Sequence, residues 1–256
     1  MAKIGILYYS GVGNTQYVAN IIYNYLINNN EAAIFSIEHL PNNFNVNDYS
    51  KLIIGFPTIH SEPAKPIVDF INNLATPDNN IPSFIYTTCG LYSANTIKIF
   101  CKLCLKKKII PVKTNSYRCA ATDGILLAPF MDIWYHHKKG LEEIIKADTN
   151  QFINLDAFVP AIPKLKWYSL LNYPNKLLGK YLRFKIYLHE SNCTKCGLCI
   201  KNCPASAYTI GKKGYPLFNS WKCINCYRCI HHCPELALSL SKKKTPKRVL
   251  VNTNRR

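Results

Sequence analysis

Two cysteine runs constrain this chain more than anything else in it. The first, CTKCGLCIKNCP, places Cys193, Cys196, Cys199 and Cys203 before Pro204; the second, CINCYRCIHHCP, places Cys223, Cys226, Cys229 and Cys233 before Pro234. Both obey C-x2-C-x2-C-x3-C-P. Three cysteines spaced in this way can wrap three corners of a cubane of iron and sulfide, and the fourth corner must come from elsewhere in the chain. Structural zinc follows a different pattern, in which two C-x2-C knuckles pair across a longer gap. The repeated triplets therefore predict iron–sulfur clusters and not zinc. The chain has 12 cysteines in 256 residues. Disulfides on that scale belong to small secreted domains, and the apolar N-terminus here (MAKIGILYYSGVG) reads as a buried first strand and not as a secretory signal. The expected compartment is the cytoplasm. No apolar run is long enough to predict a membrane-spanning helix.

Residues 186–242 resemble a bacterial-type ferredoxin with two 4Fe-4S clusters. The resemblance implies that the last cysteine of each run serves the other run's cluster. One ligand set is then Cys193, Cys196, Cys199 and Cys233, and the other is Cys223, Cys226, Cys229 and Cys203. The proline turns the chain after the crossing ligand.

The first half of the chain has a different rhythm. Strands are predicted over Lys3–Tyr9, Ala33–Ile37, Lys51–Phe56, Ser83–Cys89 and Ile109–Asn115. Helices are predicted over Asn14–Asn29, Lys65–Leu74, Ser93–Lys107 and from Gly140 through Asp148. Alternating strands and helices predict a parallel sheet, and the near-continuous apolar runs of the first, third and fourth strands predict helices on both faces. After the first strand comes Ser10-Gly11-Val12-Gly13-Asn14-Thr15, and then a helix. Glycines let backbone amides close around an anion, and a helix N-terminus favours negative charge. The hydroxyls of Ser10 and Thr15 are expected to donate to phosphate oxygens. The loop is neither a Walker loop nor a G-x-G-x-x-G fingerprint.

The loop resembles the phosphate loop of flavodoxins, T/S-x-T-G-x-T, matching at Ser10, Gly13 and Thr15 with Val12 at a position that usually carries a hydroxyl. The resemblance implies an α/β, flavodoxin-like, doubly wound five-stranded parallel sheet, followed by the small α+β bacterial-ferredoxin domain. It also implies that FMN, and not FAD, sits at the C-terminal ends of the strands. Two further loops fall there: Phe56 to Ser61, with Pro57, Thr58 and His60, and Thr88 to Ser93, with Cys89, Gly90 and Tyr92. They would bracket the flavin ring, with Tyr92 the best stacking candidate. The whole resembles the flavodoxin–ferredoxin fusions of anaerobes. The expected domains are residues 1–150 (FMN-binding), 151–185 (a basic aromatic connector with a helix over Asn175–Leu188), 186–242 (two clusters) and 243–256 (a loose basic tail).

Charge separates the halves. Residues 1–150 carry 13 Lys and Arg against 11 Asp and Glu, a balance of +2; residues 151–256 carry 19 against 3, a balance of +16. Two oxidised clusters, at about −2 each with their thiolates, leave that half near +12. An acidic redox partner is expected, and the nearby positive charge is expected to raise the cluster potentials. No catalytic residue is assigned: the expected function is single-electron transfer among FMN, the two clusters and a partner. The alternatives are a flavin-dependent oxidoreductase with a pocket over the ring, built from Tyr92, His60 and the connector, and a cluster-based sensor or binding module. No nucleic-acid motif is present. Cys101, Cys104 and Cys119 read as buried small hydrophobes. The pairs His136-His137 and His231-His232 read as solvated, and Lys106-Lys107-Lys108 as a helix C-cap.

Overall fold

A computed structural model describes residues 3–155, 159–167, 169, 185–247 and 249–250. By their contacts the residues fall into two units. Of the described residues, the first comprises 3–119, 137–155, 159–167 and 169; the second comprises 120–136, 185–247 and 249–250.

The first unit is built on the strands β1 (Lys3–Tyr8), β2 (Glu31–Ser36), β3 (Lys51–Ile59), β5 (Ile81–Cys89) and β6 (Ile109–Arg118), with a short β4 (Glu62–Pro63) folded back on β3. The sheet order is β2-β1-β3-β5-β6, and every pairing along it is parallel. That is the doubly wound order of the flavodoxin-like fold. Side chains alternate between two cores, as the period of a strand requires. Leu7, Leu52, Ile54, Phe56 and Ile85 face one core with α2 (Lys65–Asn73) and α3 (Thr96–Leu105). Ile4, Ile6, Ile53, Phe84 and Tyr86 face the other with α1 (Asn14–Leu26) and α5 (Leu141–Ile153). Each fully buried Leu, Ile or Phe contributes about 1.5–3 kcal/mol before the entropy of ordering it is counted.

The predicted strands and helices of this half all form, with ends shifted by a few residues. One expected loop does not. Residues 56–59 continue β3, and the chain reverses at His60 and Ser61, both at positive φ (49° and 62°), so that Ile59 pairs with Glu62. Two residues at positive φ make a two-residue hairpin turn, here without the usual Asn-Gly signature.

A polar cluster fixes the outer edge of this unit. Asp148 on α5 takes the Lys113 ammonium at 2.8 Å, the Tyr117 hydroxyl at 2.8 Å and the Asn115 amide, and the Lys113 and Asp148 side chains are only 17% and 13% exposed. Burial, and then the neighbouring Asp148 carboxylate, push the Tyr117 phenol well above its ordinary pKa. Asp148→Ala strands an ammonium and a buried hydroxyl, so we expect a loss of about 3 kcal/mol. Urea unfolding of the full chain measures it.

The connector is partly accounted for. Gln151–Ile153 close α5, and residues 159–167 and 169 belong to the first unit: Ala161 donates to the Pro111 carbonyl at 2.7 Å and Ile162 joins the core. Most of the helix expected over residues 175–188 lies outside the described residues; its end, Tyr187–Leu188, is instead a strand.

The second unit holds α4 (Thr122–Leu127), β7 (Tyr187–Leu188), α6 (Leu198–Lys201), β8 (Tyr208–Ile210), β9 (Pro216–Phe218), α7 (Arg228–His231) and β10 (Leu238–Ser239). β7 pairs with β10 and β8 with β9, both antiparallel. Ile186, Tyr208, Tyr227, Ile230 and Leu238 form a small core, and Leu126 packs on it. Here His231 is a correction. It is buried, with Nε2 3.0 Å from the Thr122 carbonyl and Nδ1 accepting the Leu250 amide at 3.3 Å. The carbonyl can only accept, so the ring is the Nε2–H tautomer. Burial lowers its pKa to about 4, so it stays neutral there. The solvated reading of this pair failed because both partners are remote in sequence. The tail is likewise less loose than expected, since Val249 is buried.

Candidate functional site: two cysteine cavities and a phosphate loop

The two cysteine runs fold as copies of one backbone. Lys195, Gly197 and Ser206 of the first run have φ of 58°, 73° and 47°; Asn225, Tyr227 and Leu236, thirty residues on, have 54°, 54° and 51°. The hydrogen bonds repeat as well. Ala207 N donates to Cys203 Sγ at 3.2 Å, and Ala237 N donates to Cys233 Sγ at 3.2 Å. Glycine meets the left-handed requirement at 197 without strain; Tyr227 meets it at a cost, while its ring is buried in the small core.

The sulfurs are sorted between two cavities. Cys193, Cys196, Cys199 and Cys233 line one. Cys203, Cys223, Cys226 and Cys229 line the other. The last cysteine of each run thus lines the other run's cavity. Among the described residues no three His, Cys, Asp or Glu side chains converge closely enough to hold a single metal ion. Four sulfurs spread around a cavity fit a polynuclear cluster better than a zinc ion. Burial pushes the Cys199 and Cys226 thiols up to about 11. The second cavity adds a donor: the Tyr208 hydroxyl points at Cys229 Sγ from 3.5 Å. Hydrogen bonds to ligating sulfurs are one of the means by which a protein sets a cluster's potential.

In the first unit the predicted phosphate loop lies between β1 and α1. Ser10 Oγ accepts the Gly13 amide at 3.0 Å, which folds the loop on itself. Gly13 has φ 109°, and a Cβ there would meet nothing within 4 Å, so its outer side is open. No side chain caps α1, and no acidic residue sits in its first turn. Gly11 is buried; Val12 and Asn14 are half-buried. An uncapped helix N-terminus behind an open glycine turn fits an anion. Thr15 differs from expectation: its hydroxyl is buried and lies 2.8 Å from Thr88 Oγ1, so it ties α1 to β5.

The same kind of bond joins the other two loops. Thr87 Oγ1 donates to the Phe56 carbonyl at 2.8 Å, so Thr58, 3.0 Å from Thr87 Oγ1, is the donor of that pair. The Pro57 carbonyl accepts the Ala64 amide. His60 sits at the tip of the hairpin. Cys89 ends β5, half-buried, and Gly90 and Leu91 follow it, Leu91 at 60% exposure. Burial raises the Cys89 thiol to about 11 against the pull of Lys166 and Arg118. Cys101, Cys104 and Cys119 are buried, as read from the sequence.

Sequence reasoning missed Lys166. Asn95 clamps its backbone from both sides, accepting the Lys166 amide at 2.9 Å and donating to its carbonyl at 3.3 Å. Its ammonium lies 5.4 Å from the centre of the Tyr92 ring. A cation from the connector therefore covers the residue expected to stack on a flavin. No local motif carries this contact.

Residues 185–234 match the family model of the 4Fe-4S dicluster domain. No curated protein sequence matches the chain. Among solved structures, a flavodoxin from the domain Archaea is similar at 13% identity and TM-score 0.45, covering 59% of this chain and 95% of that one. Flavodoxin 1 from Bacillus cereus gives 14% and 0.44, covering 60% and 100%. A Fusobacterium nucleatum flavodoxin bound to flavin mononucleotide gives 15% and 0.40, covering 60% and 95%. The chain thus joins an α/β unit with the flavodoxin-like sheet order to a segment that matches the 4Fe-4S dicluster domain. Among the described residues no helix is long and apolar enough to cross a membrane.

Proposed function

We propose that this protein is an electron carrier that holds one FMN and two 4Fe-4S clusters and passes single electrons among them and on to a redox partner. The observation that carries the reading is the sorting of eight cysteines into two four-sulfur cavities, each completed by the other run. When bound, the flavin and the clusters supply the redox chemistry, and the chain supplies ligands, orientation and charge. Cys193, Cys196, Cys199 and Cys233 would hold one cluster, and Cys203, Cys223, Cys226 and Cys229 the other. Ser10 through Thr15 would hold the FMN phosphate, with Ser10 and the first amides of α1 as donors. Pro57, Thr58, His60, Cys89, Gly90 and Tyr92 would border the ring. The oxygen sensitivity of such exposed clusters supports a reducing compartment, the cytoplasm of an anaerobe. The net positive charge of the C-terminal half supports an acidic partner.

Anaerobic purification with iron, sulfide and flavin analysis tests the reading. The expected composition is about eight irons and about one FMN per chain, with both cofactors reducible in one titration. Eight irons without flavin would sink the FMN half alone.

Lys166 gives a finer test. A cation beside the ring favours the reduced, more negative flavin. Lys166→Gln is expected to weaken FMN binding a fewfold and to move the flavin potential in the negative direction by tens of millivolts. A spectroelectrochemical titration reads the shift, and an unchanged potential would remove Lys166 from the flavin's surroundings.

A further inference from the structure

We propose that the mouth of the first cysteine cavity is the docking face for an acidic one-electron redox protein, with Lys195, Lys212 and Lys213 as its anchoring charges. The inference rests on the reading that this cavity holds a cluster.

The two cavities share a backbone but not an exposure. Cys196 is exposed, whereas its counterpart Cys226 is half-buried. Lys195 is exposed, whereas its counterpart Asn225 is 6% exposed. Gly197, with no side chain, stands where the second run places the buried ring of Tyr227. The first cavity is therefore the one a partner can approach.

Its rim is apolar and then basic. Leu198 and Ile210, which line the cavity, are 38% and 75% exposed. The turn between β8 and β9 brings Lys212 and Lys213, both exposed, beside the first run. Gly214 lines the cavity, and a Cβ there would lie 3.6 Å from Lys195 Cδ. Tyr215 holds the Lys195 ammonium 4.4 Å from its ring centre. Glu235 is the acidic residue on the lining. Three lysines around two exposed aliphatic residues form an apolar centre with a charged rim, which is the anatomy of a protein interface. The sign of the rim selects an acidic partner and speeds its encounter. In each encounter one electron leaves the reduced protein and reduces the partner's centre by one, with no bond made or broken.

The test is stopped-flow oxidation of the reduced full-length holoprotein, with cytochrome b5 as an acidic haem probe and cytochrome c as a basic one. The parent is expected to react with the acidic probe at least about tenfold faster at 10 mM than at 500 mM salt, and to lack that dependence with the basic probe. The triple variant K195E/K212E/K213E should slow the acidic probe at low salt at least about tenfold. The triple variant K242E/K243E/K244E makes the same change in net charge at residues that line neither cavity, and should slow it less than about threefold. Iron content and EPR of both variants must match the parent. Equal slowing by the two triples, or no slowing by the first, would overturn the docking face. So would duplex DNA binding abolished by the first triple while its electron exchange is unchanged. A parent protein without reducible clusters would instead overturn the reading beneath it.

Discussion

Replacing Cys203 and Cys226 together with alanine will remove one 4Fe-4S cluster and spare the other, whereas replacing Cys203 and Cys196 will remove both. The asymmetry follows from which cavity each sulfur lines. Cys203 belongs to the first run but shares its cavity with Cys223, Cys226 and Cys229. A second lesion in the same cavity has nothing further to destroy. A second lesion in the other cavity, lined by Cys196, destroys what remains. Iron is expected to fall from about eight to about four per chain in the first double variant and towards none in the second. If each run instead held its own cluster, the two results would be exchanged. Iron analysis with EPR spin counting under anaerobic conditions decides between them. Cys233→Ala with Cys196→Ala, both in the first cavity, should repeat the sparing result and guards against a variant that fails to fold.

Gly55→Ala is expected to be the most damaging single substitution in the first unit. Gly55 lies in β3, and a Cβ there would sit 2.0 Å from Cζ and 2.2 Å from the hydroxyl oxygen of Tyr86. The ring cannot step aside, being fully buried with Tyr117 and Phe84 at centroid distances of 5.8 and 6.1 Å. Overpacking of this severity costs about 3 kcal/mol, or about 6–12 °C in Tm for a unit of this size. The injury should also reach the phosphate loop. Tyr86 donates to the Thr15 carbonyl at 3.2 Å, and Thr15 is tied to Thr88, so displacing the ring disturbs the first turn of α1. Weaker FMN binding should therefore accompany the lower Tm. Gly13→Ala is the contrast. Its Cβ meets nothing, so it should cost about 1–2 kcal/mol through backbone strain alone. An unchanged Tm in Gly55→Ala would refute the packing argument.

Features set by local pattern were legible in the sequence. Near-continuous apolar strand runs, the helix-length stretches between them and the cysteine spacing each declare themselves within about a dozen residues, and the parallel sheet followed from their alternation. What escaped was settled by distant partners. The hairpin at His60-Ser61 lacks turn chemistry that sequence rules recognise and is held by pairing to Glu62 and Pro63. His231 looked solvated because Thr122, 109 residues away, is invisible to its neighbours. Lys166 was read as connector charge because its clamp, Asn95, lies 71 residues upstream. Nothing near Gly55 in sequence signals the Tyr86 ring that requires a glycine there.

The stretch from Ala120 to His136 leaves the first unit after β6 and returns to it before α5, yet its contacts are with the second. Among the described residues the polypeptide therefore changes unit three times: after Cys119, after His136 and between residues 169 and 185. Units joined by one linker can be cut apart, swapped or re-fused as cassettes. These cannot. A scission near residue 155 would leave the N-terminal piece carrying Leu126 without the core it packs on, and would deprive the C-terminal piece of the carbonyl that receives His231. Residues 120–136 are inserted in the first unit's sequence but belong to the second unit, so excising either as a free module means rebuilding that segment first.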